Sequence, residues 1–105
     1  MDWEEEKIRC RICGTTVTTE SERMRMNGSH EHAFVNPLGL LFRIGCFSGA
    51  RGCLAAGEPT GDYTWFPGYT WRFAVCSNCR VHLGWCYQSG TGAFWGLILD
   101  RLVSG

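Results

Sequence analysis

Cys76-Ser77-Asn78-Cys79, entered through Thr70-Trp71-Arg72-Phe73-Ala74-Val75 and left through Arg80-Val81-His82, is the stretch whose reading decides the fold. Two thiols three positions apart on a tight turn can hold the same metal ion, and a closed structural zinc site needs four such soft ligands in a tetrahedron. The missing pair lies far upstream, at Cys10-Arg11-Ile12-Cys13, where Gly14 permits the turn that brings backbone amides toward the sulfurs. Sixty-two residues separate the pairs, too many for a small zinc ribbon, so the metal is expected to tie distant strands together. One structural Zn²⁺ on Cys10, Cys13, Cys76 and Cys79 is the expectation. A redox Cys-x-x-Cys belongs near a βαβ pattern, and none is present. His30, His32 and His82 are alternative ligands by type, but nothing is spaced to complete a site with them, and they read as packing or surface groups.

Working outward, Thr70–Val75 reads as a strand, Val81–Tyr87 as a second, and residues 94–99 as a third after a Gly-rich turn at 89–92. Phe66-Pro67-Gly68-Tyr69 has the composition of a type II turn, with Pro second and Gly third. Upstream, residues 10–19 read as a knuckle running into a β-branched strand. Asn27-Gly28 marks a turn, and so does Asn36-Pro37-Leu38-Gly39, with a short strand at 40–47. Residues 48–62 hold five Gly or Pro and read as a loop. Residues 1–9, with 1–7 the clearest part, read as a polar lead-in. No stretch carries a long 3.6-residue apolar period, so the class is all-β.

The chain has 105 residues, enough for a single domain over 1–105, with 14 Gly, 7 Cys and 5 Trp. A domain of that size buries only about 60–70% of the surface its unfolded chain exposes, so a metal would help it. Ten acidic and ten basic residues cancel, and the bases are scattered, which argues against a nucleic-acid partner. No apolar segment is long enough for a transmembrane helix, so no membrane partner is expected. The acidic start lacks the features of a secretory signal. An odd cysteine count with two Cys-x-x-Cys pairs favours metal in a reducing, cytoplasmic setting.

Trp65, Trp71 and Trp85 bracket the second knuckle. Trp65 and Trp71 flank a turn, and in an extended Trp85-Cys86-Tyr87 the two aromatics share a face while Cys86 takes the other. Such a set of rings can form a cage for a cation or for a small flat ring. A regular two-residue hairpin at Pro67-Gly68 would put Trp65 and Trp71 on opposite faces. The cage therefore needs a bulge, a longer loop, or Trp65 lying in the loop itself.

Trp65-Phe66-Pro67-Gly68-Tyr69-x-Trp71, Cys76-x-x-Cys79, His82-x-Gly84-Trp85 and Phe94-Trp95-Gly96-Leu97 together resemble the thalidomide-binding domain of the cereblon family, also called the CULT domain. Asn36-Pro37-x-Gly39 and the Cys10/Cys13 pair match it too. The resemblance runs from about residue 8 to 100 and looks like a stand-alone, bacterial-type homologue. It implies a β-tent, two antiparallel sheets meeting at an angle and pinned by zinc. It also implies a pocket for a glutarimide or similar cyclic imide, walled by Trp65, Trp71 and Trp85, with Asn36 and Pro37 on a lid. Tyr63, Thr64 and Trp65 would meet the imide through backbone groups, and Tyr87 would close the pocket. Tyr63 and Tyr87 replace the human family member's His and Phe.

The implied partner is a small cyclic imide, a uridine-like cyclic amide, or a peptide end modified to a C-terminal cyclic imide. The ubiquitin-ligase adaptor of full cereblon is not expected to dock on this stretch alone. No catalytic residue is assigned and no enzyme is expected. Three other readings exist: a B-type methionine sulfoxide reductase using Cys46, Cys53 or Cys86, a methyl-cation reader using Glu58 or Asp62, and a purely structural zinc domain whose pocket is vestigial.

Overall fold

The computed structural model describes residues 6–104. The described residues form nine strands: β1 (Lys7–Cys10), β2 (Thr16–Thr19), β3 (Glu31–Val35), β4 (Leu41–Phe47), β5 (Cys53–Thr60), β6 (Thr70–Cys76), β7 (His82–Gln88), β8 (Ala93–Ile98) and β9 (Leu102–Ser104). They make two antiparallel sheets, one of three strands in the order β2-β1-β9 and one of six in the order β3-β4-β8-β7-β6-β5. The only helical pieces among the described residues are 3-10 turns at Glu20–Glu22 and Leu99–Arg101. No helix there is long and apolar enough to cross a membrane. The all-β, two-sheet expectation holds.

The turns form where glycine and asparagine allow them. Tyr69 N–H donates to the Phe66 carbonyl at 3.0 Å with Gly68 at φ 91°, the geometry of a type II turn. Asn27 and Gly28 both take positive φ inside a two-residue hairpin closed between Met26 and Ser29.

Two expectations are corrected. Residues 53–60, read as loop, are strand β5, paired with β6 from Cys53↔Cys76 to Ala56↔Phe73. Gly57 and Pro59 fall where the register shifts between Ala56 and Thr60, and β5 is an edge strand, where a missing N–H is tolerated. The lead-in is also shorter than read, because Lys7 already pairs with Thr19 in β1. Residues 1–5 lie outside the described residues.

Burial divides into two clusters. One lies between the sheets, where Ile8, Val17 and Leu102 of the small sheet meet Ala74, Leu83 and Leu97 of the large one. The other is aromatic, built on Phe66, Trp85, Tyr87 and Phe94 with Ile44 and Ile98. Between Ala74↔Gly84 and Val75↔His82 the β6–β7 ladder slips by one residue, a β-bulge containing Leu83. The bulge changes the side-chain phase along β7. Leu83 enters the inter-sheet core, while His82 joins Trp85 and Tyr87 at the aromatic cavity.

Gly84 makes this possible. A Cβ there would lie 2.1 Å from the Gly96 carbonyl oxygen and 2.9 Å from Leu97 Cα. Gly84→Ala is therefore expected to push β7 away from β8 and cost about 1–3 kcal/mol, read as a lowered Tm. An unchanged Tm would show that the strands have room.

Candidate functional site

The two knuckles repeat one backbone device. Cys10 N–H donates to the Thr15 carbonyl and Gly14 N–H to the Cys10 carbonyl. Cys76 N–H likewise donates to the Val81 carbonyl, and Arg80 N–H to the Cys76 carbonyl. Gly14 and Arg80 occupy the same left-handed position, at φ 79° and 67°. The device brings all four sulfurs within 4.8 Å of one another. Cys10 Sγ is 3.7 Å from Cys79 Sγ, and Cys13 Sγ is 3.6 Å from Cys76 Sγ. A tetrahedron of thiolates with metal–sulfur bonds of about 2.3 Å has edges of about 3.8 Å, so the four can hold one metal ion.

The electrostatics agree. Cys13 is pulled down to about 5, chiefly by the Thr15 hydroxyl, with Asn78 assisting. Cys79 is pushed up to about 11: the Val81 amide lowers it, but desolvation and the neighbouring sulfurs outweigh that amide. The Cys13 thiolate forms readily and Cys79 then resists a second like charge, a conflict that a dication removes.

The second feature is a cavity of about 410 Å³ on the large sheet. Strands β6 and β7 supply Trp71 and Phe73, His82, Trp85 and Tyr87; the 61–69 loop supplies Tyr63 and Trp65; the β3–β4 hairpin supplies Asn36, Pro37 and Phe42. Trp65 does lie in the loop itself. It stacks on Phe34 at 4.8 Å and meets Trp85 edge-on at 4.8 Å. Trp71 Nε1–H donates to the Asp62 carbonyl at 2.8 Å, tying that loop to β6. Tyr63 sits in the left-handed region at φ 57°, which a tyrosine rarely adopts. Asn36 lines the cavity, but its Oδ1 accepts from Leu38 N–H at 3.0 Å and Leu40 N–H at 2.9 Å, so this oxygen shapes its own turn. Tyr87 is buried, and burial raises its phenol.

Of the residues expected at a ligand site, the structure brings Asn36, Pro37, Tyr63, Trp65, Trp71, Trp85 and Tyr87 around one cavity. Thr64 is not among its lining residues; its hydroxyl pairs with Phe66 backbone groups inside the loop. Cys86, across from Arg72 in the ladder, is not among them either. Phe42, Phe73 and His82 were not foreseen. Phe73 follows from plain alternation with Trp71, and Phe42 from its pairing with Phe34. His82 depends on the bulge, which no local pattern announces. His82 is a neutral ring held from both sides. Nε2–H donates to the Gly84 carbonyl at 2.8 Å, and Nδ1 accepts from Arg101 Nη1 at 3.2 Å. Burial, with Arg101 assisting, lowers its pKa.

These features define a two-sheet β domain with four clustered cysteines able to hold one metal ion and a cavity lined by aromatic rings. Comparison with known proteins places it among relatives of cereblon. Protein cereblon of Gallus gallus is 31% identical over 101 residues, 90% of this chain, and that of Xenopus tropicalis is 30% identical over 100 residues, 89% of this chain. Cereblon of Drosophila melanogaster is 30% identical over 87 residues, 76% of this chain. The chain is thus a cereblon homologue of the CULT type, and it spans only 23%, 22% and 14% of those relatives' own lengths. No family model matches it. A solved structure titled as the Mis18 'Yippee-like' domain superposes with a TM-score of 0.65 at 11% identity, covering 97% of this chain and 96% of that one, a likeness of fold alone.

Proposed function

We propose that the aromatic cavity binds an uncharged cyclic imide or cyclic amide, either as a small molecule or as the modified C-terminal end of a peptide, and that the four cysteines hold zinc. The observation that carries the reading is the convergence of three indoles on one open cavity. A saturated imide ring packs against indole faces, while its N–H and two carbonyls need a short donor–acceptor set. Beside the rings, the Trp65 N–H and Tyr63 carbonyl take part in no hydrogen bond within the described residues, which leaves them for that role. Val35, Leu38, Leu40 and Leu41 are exposed around the Asn36 turn, and Tyr63 is exposed on the 61–69 loop, so a ligand extending past the ring would meet apolar surface. Zinc suits an all-thiolate tetrahedron, and seven free thiols suit a reducing, cytoplasmic compartment.

Binding fits better than catalysis. Cys46, Cys53 and Cys86 are buried, and burial raises their thiols, the first two to about 11 and about 12, which makes poor nucleophiles for sulfoxide reduction. Glu58 and Asp62 are not among the cavity's lining residues, which disfavours a methyl-cation reader.

The test is a tryptophan-fluorescence titration with glutarimide and its N-methyl derivative. Glutarimide should bind with a Kd between millimolar and micromolar, given roughly 0.5–1 kcal/mol for each of about eight heavy atoms. The N-methyl compound should bind at least about ten-fold more weakly, because it leaves a buried acceptor unpaired. Equal affinities would overturn the reading.

A further inference from the structure

We propose that Arg101 sets the charge preference of the aromatic cavity, favouring uncharged ring ligands and rejecting cationic ones. The proposal rests on the cyclic-imide reading and deepens it.

A box of aromatic rings is ambiguous by itself, because its ring faces attract cations as well as flat neutral rings. What lies behind the walls resolves the ambiguity. None of the ten residues lining the cavity is a carboxylate. Directly behind two of them stands a guanidinium. Arg101, on the 3-10 turn Leu99–Arg101, donates from Nη1 to His82 Nδ1 at 3.2 Å and to the His82 carbonyl at 2.9 Å. Its guanidinium carbon lies 6.0 Å from the centre of the Phe42 ring. His82 and Phe42 both line the cavity.

No described carboxylate forms an ion pair with this guanidinium, and Asp100, its neighbour on the same turn, is exposed to solvent. Among the described residues, the ion pairs found are Arg23–Glu20 and Arg43–Glu31, and neither involves Arg101. His82 cannot offset it, since its two ring nitrogens are committed to Arg101 and the Gly84 carbonyl. A cation held against the His82 and Phe42 rings would be repelled by the guanidinium that both rings contact and would bind roughly five-fold more weakly than an uncharged isostere. A neutral imide escapes that penalty, and its carbonyl dipoles can turn toward the positive wall.

The experiment uses two glutarimides of matched shape, one carrying a trimethylammonium group at ring carbon 3 and the other a tert-butyl group. Affinities are measured at about 50 mM salt for the metal-loaded protein, Arg101→Gln and Arg101→Lys. The two groups differ in hydration, so the quantity read is the change in the affinity ratio. Arg101→Gln should shift that ratio about five-fold toward the cation and leave the neutral ligand within about two-fold. Arg101→Lys, which keeps the charge, should restore the wild-type ratio. Raising salt to about 0.5 M should narrow the wild-type ratio, a readout that stands even if Arg101→Gln fails to fold. A ratio unmoved by both salt and Arg101→Gln, or an equal loss of both ligands in the variant, overturns the proposal while the imide reading survives. If the neutral compound does not bind the wild-type protein, the imide reading fails and this proposal falls with it.

Discussion

Cys76→Ser is expected to yield a chain that neither retains metal nor folds. Cys76 is fully buried, ends β6, and with Cys10 of β1 brings the large and small sheets to a common point. The inter-sheet core around it is made of small and medium side chains such as Ile8, Val17, Ala74 and Leu83. A serine hydroxyl at that position is a hard, weakly acidic donor and leaves three thiols facing one another without a cation. Structural zinc contributes on the order of 10–16 kcal/mol of apparent binding free energy, against a net domain stability of about 5–15 kcal/mol. Losing most of that exceeds what the core can offset. The check is metal content together with a circular-dichroism melt, with Cys86→Ser as a control that should stay folded and loaded. A Cys76→Ser protein that is metal-free yet melts like wild type would show that the core alone holds the sheets together.

The four-cysteine cluster was legible because spacing carries it: two Cys-x-x-Cys turns need no tertiary context to be recognised, and both adopt the same hydrogen-bonded device. The strands on either side of the second knuckle were legible for the same local reason, with β6, β7 and β8 within about a residue of their expected bounds. What escaped was decided at a distance. Strand β9 is three residues long and exists by pairing with β1 across most of the chain. Strand β5 hides behind Gly57 and Pro59, which are loop residues by composition but acceptable on a bulged edge. His82 is three positions from Trp85, an odd separation that alternation assigns to the opposite face. The Leu83 bulge brings it back to the same cavity, and with it comes Arg101.

The three cavity tryptophans are expected to separate when each is changed to alanine. The sequence already suggests unequal contributions, and as a cage residue Trp85 would on alanine substitution lose binding at only a modest cost in stability, because the cage is empty without ligand. The structure divides them. Trp85 is only 9% exposed and belongs to the aromatic core, touching Trp65, Phe42 and His82 edge-on at 4.8, 5.3 and 5.0 Å. Trp85→Ala should therefore cost about 3–5 kcal/mol of stability as well as binding, a result that cannot by itself separate a pocket from a core. Trp71 is half-buried on β6, with Phe73 beside it and its indole N–H on the Asp62 carbonyl. Its removal opens a wall more than it empties a core. Trp71→Ala should stay folded and metal-loaded, lose about 1–2 kcal/mol of stability, and bind glutarimide at least about 30-fold more weakly, the equivalent of roughly 2 kcal/mol of lost contact. Trp65→Ala should fall between them, because its ring also covers Phe34. Metal content, Tm and imide affinity measured on the three variants decide the matter. A folded Trp71→Ala protein that still binds at wild-type affinity would remove that indole from the site. Unfolding of all three would leave the rings as core, with no evidence for a pocket in them.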